Sequence, residues 1–361
     1  MIYLNSSKKE QCTGCTACAN ICPVKAITMK EDKEGFKYPE IDEIKCIKCG
    51  LCEKLCFNVN TKSDNSIIET YGVKHKNEEE RMSSRSGGIF VSLSDYILNL
   101  NGSVYGAVLN DDFTVTHERA ENKVERNRFK GSKYVQSDMK DIIQKIKKDL
   151  EKGKKVLFSG TACQVSAVKQ SVNQKYQENL FTCDLICHGV PSPKVFNDYL
   201  NYIEEKENKK IKKFNFRDKK FGWSSHLETF IFEDGTEISN EYFKNLFYRH
   251  NILRPSCYNC KFANTHRPAD ITIADFWGVE DILPEFSDEK GVSLVIINNE
   301  KGRQWFKDVT NDLEFIECDT KKCIDATYTL NKPTPISKNR KEFWDDYYNN
   351  DFEYIIEKYA K

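Results

Sequence analysis

Cys12, Cys15, Cys18 and Cys22 form one run, and Cys46, Cys49, Cys52 and Cys56 form another. Both are spaced Cys-x2-Cys-x2-Cys-x3-Cys. No other feature so narrows what the first sixty residues can fold into. Two residues between ligands let a tight loop aim successive sulfurs at neighbouring irons of a cubane. In such a duplicated run the fourth cysteine reaches the other cluster. The spacing therefore predicts two 4Fe-4S clusters, one on Cys12, Cys15, Cys18 and Cys56, the other on Cys46, Cys49, Cys52 and Cys22. Gly14 and Gly50 lie inside the loops, where backbone must approach the cluster closely. Pro23 follows the first run and Phe57 the second. Eight cysteines would also serve two tetrahedral zinc sites, but zinc modules pair two Cys-x2-Cys knuckles across a long gap instead of using a triple run.

The remaining composition sets the context. Lys+Arg and Asp+Glu both total 55, so no basic excess points to nucleic acid. No apolar window approaches the length of a membrane span. The N-terminus lacks a basic stretch followed by an apolar core. These features predict a cytoplasmic protein, where thiols stay reduced and clustered cysteines serve metals better than disulfides.

Past the second run the texture changes. Residues 61–68 are mostly polar and read as a linker. Beyond them, strand-like segments at 71–74, 104–109, 114–118, 156–158 and 180–187 alternate with helical patterns at 87–99, 138–150, 161–171 and 193–205. That alternation predicts a mixed α/β domain with some parallel pairing. The sequence thus divides into an α+β ferredoxin-like N-terminal domain (1–60), the linker, a larger mixed α/β domain (69–330) and a C-terminal helical extension (331–361).

Seven cysteines remain. Cys163 follows one predicted strand and Cys187 ends another, and strand C-termini are where open α/β sheets bind ligands. Cys257 and Cys260 form a knuckle, which would also suit half of a zinc site. Together these four would supply thiolates to a third cluster. Cys183 lies four residues before Cys187 on the same strand face, about 13 Å away at ~3.3 Å per residue, so it reads as core. Cys318 and Cys323 read as packing residues. Three glycine turns stand out: Ser86-Gly87-Gly88 ahead of a helix, Gly131-Ser132-Lys133-Tyr134, and Ser159-Gly160-Thr161 at a strand end. None matches a dinucleotide fingerprint or a phosphate loop. His188 is a candidate proton donor, because imidazole titrates near neutrality; its alternative is a hydrogen-bonded loop histidine. Asp275 is either a site carboxylate or a turn cap.

These motifs together resemble the coenzyme F420 hydrogenase/dehydrogenase beta-subunit family, in the form of bacterial members associated with polysaccharide gene clusters. The resemblance rests on Ser86-Gly-Gly88, Lys130-Gly-Ser-Lys-Tyr134, Phe158-Ser-Gly-Thr-Ala-Cys-Gln164, Asp184-Leu-Ile-Cys-His-Gly-Val-Pro-Ser192, Cys257-Tyr-Asn-Cys260 and Asp270-Ile-Thr-Ile-Ala-Asp-Phe-Trp-Gly278. It implies that the larger domain is a flavin domain holding FAD. It also implies a third 4Fe-4S cluster on Cys163, Cys187, Cys257 and Cys260. The glycine turns, with Gly160, Thr161, Gln164 and Asp275, correspond to flavin-binding segments, and Lys133 and Thr161 are the expected flavin contacts. Archaeal members use the deazaflavin coenzyme, and related plant and cyanobacterial enzymes reduce chlorophyll precursors. The implied partners are ferredoxin or another redox protein, and a small-molecule or coenzyme substrate, with no nucleic acid. The implied activity is FAD-dependent iron–sulfur oxidoreduction; the alternative is an electron-transfer subunit with no substrate of its own. Two positions depart from the family pattern: Ala162 stands where Pro is usual, and Ala274 where Gly is usual.

Overall fold

Short β-branched and aromatic runs punctuated by turn residues give the chain its strands. The computed structural model describes residues 3–56 and 69–361, so the predicted linker at 61–68 lies outside the described residues. In the N-terminal region β1 (Ile27–Glu31) and β2 (Lys37–Ile41) form an antiparallel hairpin. Each cysteine run encloses a short helix, Ala17–Ile21 in the first and Leu51–Leu55 in the second.

The larger region is built on an eight-stranded mixed sheet. Its strands are β3 (Glu69–His75), β4 (Ser103–Leu109), β5 (Val115–Ala120), β6 (Val156–Thr161), β7 (Leu180–Leu185), β11 (Ile271–Asp275), β12 (Ser293–Ile297) and β13 (Leu313–Glu317), in the order β13-β3-β12-β11-β7-β6-β4-β5. The central four, β11, β7, β6 and β4, are parallel, and antiparallel pairs flank them. Their near-continuous apolar sequences, such as Val156-Leu157-Phe158, match strands covered on both faces. β8 (Ile211–Asn215), β9 (Glu228–Phe232) and β10 (Glu237–Asn240) make a separate antiparallel sheet. Helix Pro193–Glu207 and the last two helices, Arg340–Asn349 and Phe352–Tyr359, pack on it through Phe196, Tyr199, Phe230, Phe343 and Ile356. The expected single terminal helix is thus two, broken at Asn350-Asp351, where the Asp351 side chain caps the second.

Two local expectations need correction. Gly160 is not in a turn: β6 runs through it to Thr161 and passes directly into helix Ala162–Ser171. Thr161 and Gln164 close a capping box there, so no intervening loop is needed. The charged helix expected from Asp138 begins at Ile142, because the Asp138 backbone is still tied to the neighbouring strand, bonding Val115 and His117. Cys183 is fully buried in the sheet core, Cys323 is buried in a second apolar cluster, and Cys318 packs beside it. Among the described residues no helix is long and apolar enough to cross a membrane.

Candidate redox site

The parallel core places its strand C-termini along one edge, and three groups of candidate residues gather there or beside it. Cys163 stands two residues beyond β6, Cys187 two residues beyond β7, and Asp275 is the last residue of β11. Cys257 and Cys260 arrive from the short 3-10 turn Pro255–Asn259. All four cysteines line one recess of about 730 Å3, open mouth included. Burial pushes the Cys163 thiol up to about 11, Cys187 up to about 12, and Cys257 well above its usual value, with other thiols of the set adding to the rise. Gly189 N–H donates to Cys187 Sγ (3.3 Å), and Val190 N–H to Cys257 Sγ (3.4 Å). Thr161 Oγ1 sits 3.1 Å from Cys163 Sγ. Among the described residues no three Cys, His, Asp or Glu side chains close on a single point as one zinc ion requires. Four thiols rimming a recess, two of them with N–H donors, fit a cubane, whose irons are spread apart and whose sulfurs take such bonds.

The N-terminal runs form the second group. Cys12, Cys15, Cys18 and Cys56 line a common recess, and Cys52, expected on the other cluster, lines it with them. Cys22, Cys46, Cys49 and Cys52 lie outside the hydrophobic core, with Cys49 exposed and close to Cys52. Each loop uses two left-handed residues at matching places, Gly14 (φ 71°) with Thr16 (φ 60°), and Lys48 (φ 54°) with Gly50 (φ 70°). Thus the two glycines occupy different steps of the duplicated turn. Burial, and then the neighbouring thiols, push Cys15 up to about 12. The two recesses share Thr13, and Cys15, Cys163, Cys260, Ala162 and Phe262 pack between them.

The third group lies further along the same edge and is cationic and aromatic. Arg217 pairs with Asp275, which also accepts from Trp223 Nε1 (3.1 Å). Trp223 stacks on Trp277 with centroids 4.9 Å apart and planes 7° apart, His226 stacks on the same Trp277, and the Arg217 guanidinium lies 4.8 Å from that ring. Arg85 donates to the carbonyls of Arg217 and Trp223, while its Nε is buried without a partner. Burial, reinforced by Arg217, lowers Arg85 to about 10, and burial brings Lys219 to about 7, with Arg81 and Arg85 adding to the fall. Lys219 Nζ is held by the carbonyls of Arg81, Ser84 and Ser86. The group is aromatic and cationic, and the Arg85 Nε–H is an unspent buried donor within it.

Residues 153–321 match the family model for the C terminus of the coenzyme F420 hydrogenase/dehydrogenase beta subunit, and residues 11–58 match that of the 4Fe-4S dicluster domain. The chain carries both domains. It is 22% identical over 327 residues to the F component of the F(420)H(2) dehydrogenase of Methanosarcina mazei, spanning 85% of this chain and 84% of that protein. Its first part is 43% identical over 56 residues to NADH-quinone oxidoreductase subunit I 2 of Geobacter metallireducens, 14% of this chain and 43% of that one. The fold resembles a chain of the F420-reducing [NiFe] hydrogenase complex from Methanosarcina barkeri, with a TM-score of 0.53 and 18% identity over 79% of this chain and 94% of that one.

Within the larger region the structure sorts the expected flavin residues into three places. Ser86, Gly87 and Gly88 belong to the cationic pocket. Ser86 Oγ donates to Val292 O (2.6 Å), and a Cβ at Gly87 would meet Val73 O at 2.0 Å. Tyr134 and Asp275 lie in its electrostatic field, close to Arg85. Gly160, Thr161 and Gln164 instead adjoin the third cysteine set. The Gln164 amide is spent locally, accepting from Thr161 and donating to Ser137 Oγ (2.9 Å). Gly131 is exposed with open space around it, and Ser132 is half-buried in the same loop. Lys133 Nζ binds the carbonyls of Arg128 and Lys130, and burial lowers it to about 7. His188 lines the third cysteine recess and meets Tyr248 edge-on at 6.4 Å; burial, then His250, lower its basicity. Sequence reasoning missed Arg85, Arg217, Lys219, Trp223, His226 and Tyr248. A signal existed in the dense Arg217–His226 segment, where Arg, Lys, Trp and His crowd into ten residues.

Proposed function

We propose that this chain is an iron–sulfur flavoprotein oxidoreductase passing electrons between a one-electron donor such as ferredoxin and a two-electron substrate. The observation that carries this reading is the order of the three groups along one edge. The crossed N-terminal recess shares a wall with the Cys163, Cys187, Cys257 and Cys260 recess, and His188 and Tyr248 connect that recess to the cationic pocket. Bound clusters would supply single-electron transfer, and FAD in the cationic pocket would exchange one electron for two.

The chain's own groups do the holding. Arg85, with its unpartnered buried Nε–H, would present positive charge to an anionic ligand, while Arg217 is held by Asp275 and Lys219 by three backbone carbonyls. Phe262 and Ala162 exclude water between the two cysteine recesses. Asp275 fixes Arg217 and orients the Trp223 indole. Burial, then His250, lower the basicity of His188, which lines the third cysteine recess.

A second reading, a relay subunit with no substrate of its own, draws on the exposed surface of the second run. Ile44 is 97% exposed and Ile47 60%, beside exposed Lys48 and Cys49, a face suited to a redox partner. Titration of FAD into the anaerobically reconstituted full chain separates the two readings, followed by tryptophan fluorescence. Saturable quenching at one FAD per chain, lost in Arg85→Ala, supports the flavoprotein. No binding of FAD or of a deazaflavin, with intact reduction by a ferredoxin, supports the relay.

A further inference from the structure

Arg254 is fully buried, and no carboxylate is among the acceptors its guanidinium reaches. Nε donates to Cys12 O (2.7 Å), Nη1 to Gln136 Oε1 (2.9 Å), and Nη2 to Lys37 O (3.0 Å) and Cys12 Sγ (3.5 Å). Its carbon sits 4.3 Å from the Tyr38 ring centroid and 5.4 Å from that of Phe36. No ion pair among the described residues includes it. A buried cation without an anion costs several kcal/mol, so its retention implies a negative partner. The other buried arginines of the chain follow that rule: Arg126 pairs with Asp95, Arg217 with Asp275 and Arg267 with Asp184.

The backbone of Arg254 belongs to the opposite site. Its N–H donates to Val190 O, and its carbonyl accepts from Cys257 N. The side chain therefore crosses from the Cys257 loop to the sulfur of Cys12. Room for it is made by Gly14, where a Cβ would meet Arg254 Nη1 at 2.9 Å and Gln136 Nε2 at 2.5 Å. A cubane held by four thiolates carries net negative charge and gains one more unit on reduction. A cation in the same water-poor site therefore favours the reduced form.

We propose that Arg254 is the built-in counter-charge of the cluster on Cys12, Cys15, Cys18 and Cys56, offsetting its burial and raising its reduction potential. This rests on that cysteine assignment. The role is electrostatic positioning at a distance from any substrate, so its signature is a potential, not a rate.

The test is an anaerobic redox titration of the reconstituted full chain, read by electron paramagnetic resonance, with iron counted in the same samples. In Arg254→Gln one midpoint moves furthest to lower potential, with a smaller shift at the Cys163 recess that Arg254 also lines; in Arg254→Lys the same midpoint moves less. Gln136→Glu tests the idea with Arg254 retained: a carboxylate 2.9 Å from Nη1 neutralises the guanidinium and lowers the same midpoint. If Arg254→Gln fails to hold iron, the Gln136→Glu midpoint decides. Full iron with every midpoint unmoved in Gln136→Glu and Arg254→Lys overturns the role of Arg254. Full iron in Cys12→Ala would overturn instead the cysteine assignment beneath it.

Discussion

Arg217 shows what single residues contribute at the cationic pocket. Its side chain is almost wholly buried, pairs with Asp275, and donates to the Trp223 carbonyl at 2.7 Å. Removing one partner strands the other's charge, at a cost of about 3–5 kcal/mol. Arg217→Gln is therefore expected to lower stability by that order in urea unfolding, and Asp275→Asn with it should recover part of the loss. A change under about 1 kcal/mol would mean the pair is solvated. At this scale the sequence was legible where spacing alone sets chemistry, as in Cys12 to Cys22. It was not legible for Arg217 and Trp223, whose meeting with Asp275 joins positions some fifty residues apart through sheet topology. His188 was legible as a strand-end histidine, but the burial that lowers its basicity was not.

At the scale of elements, the passage from β6 into helix Ala162–Ser171 positions Cys163. Thr161 Oγ1 and the Gln164 amide complete the cap, and Cys163 sits in the first turn. Thr161→Val removes the hydroxyl partner and is expected to cost about 1 kcal/mol. Its helix should fray first, seen as faster amide exchange at Ala162–Val165 than in the wild type; equal exchange would remove the cap from the account. The strand-end rule made this location readable. The absence of a turn at Gly160 was not, because glycine in sequence signals a turn as readily as a strand that passes close to Gln164 and Phe158. A second element-scale test lies in β9. Burial raises Glu228 to about 8, against the pull of Tyr199 and the N–H groups of Phe243 and Lys244. Its folded value exceeds the unfolded one near 4.5, so the stability it permits is complete below about 4.5 and is lost as pH rises through about 8. Thermal unfolding at pH 5 and pH 9 should show a drop in the wild type that shrinks in Glu228→Gln. An equal drop in both would assign the loss to another group.

Across the whole molecule, four chain segments, at 12–18, 163, 187–190 and 254–260, are drawn to one place by the parallel core. Spacing could divide the N-terminal cysteines between two clusters, since all eight are close in sequence. Spacing alone could not unite Cys163, Cys187, Cys257 and Cys260, which the strand-end positions and the knuckle suggested and which meet because β6 and β7 are parallel neighbours and the Pro255–Asn259 turn returns to their ends. The bridge from Cys257 to Cys12 through Arg254 was invisible for the same reason. The domain pairing also explains why the ferredoxin-like part is not an appendage: Cys15 packs against Ala162 and Phe262 of the larger domain.

The count of iron in the anaerobically reconstituted full chain tests this convergence most directly. Three cubanes predict about twelve irons per chain, falling to about eight in Cys163→Ala and in Cys257→Ala, with the N-terminal signals retained. About eight irons in the wild type, unchanged by either substitution, would contradict a third cluster at the strand ends.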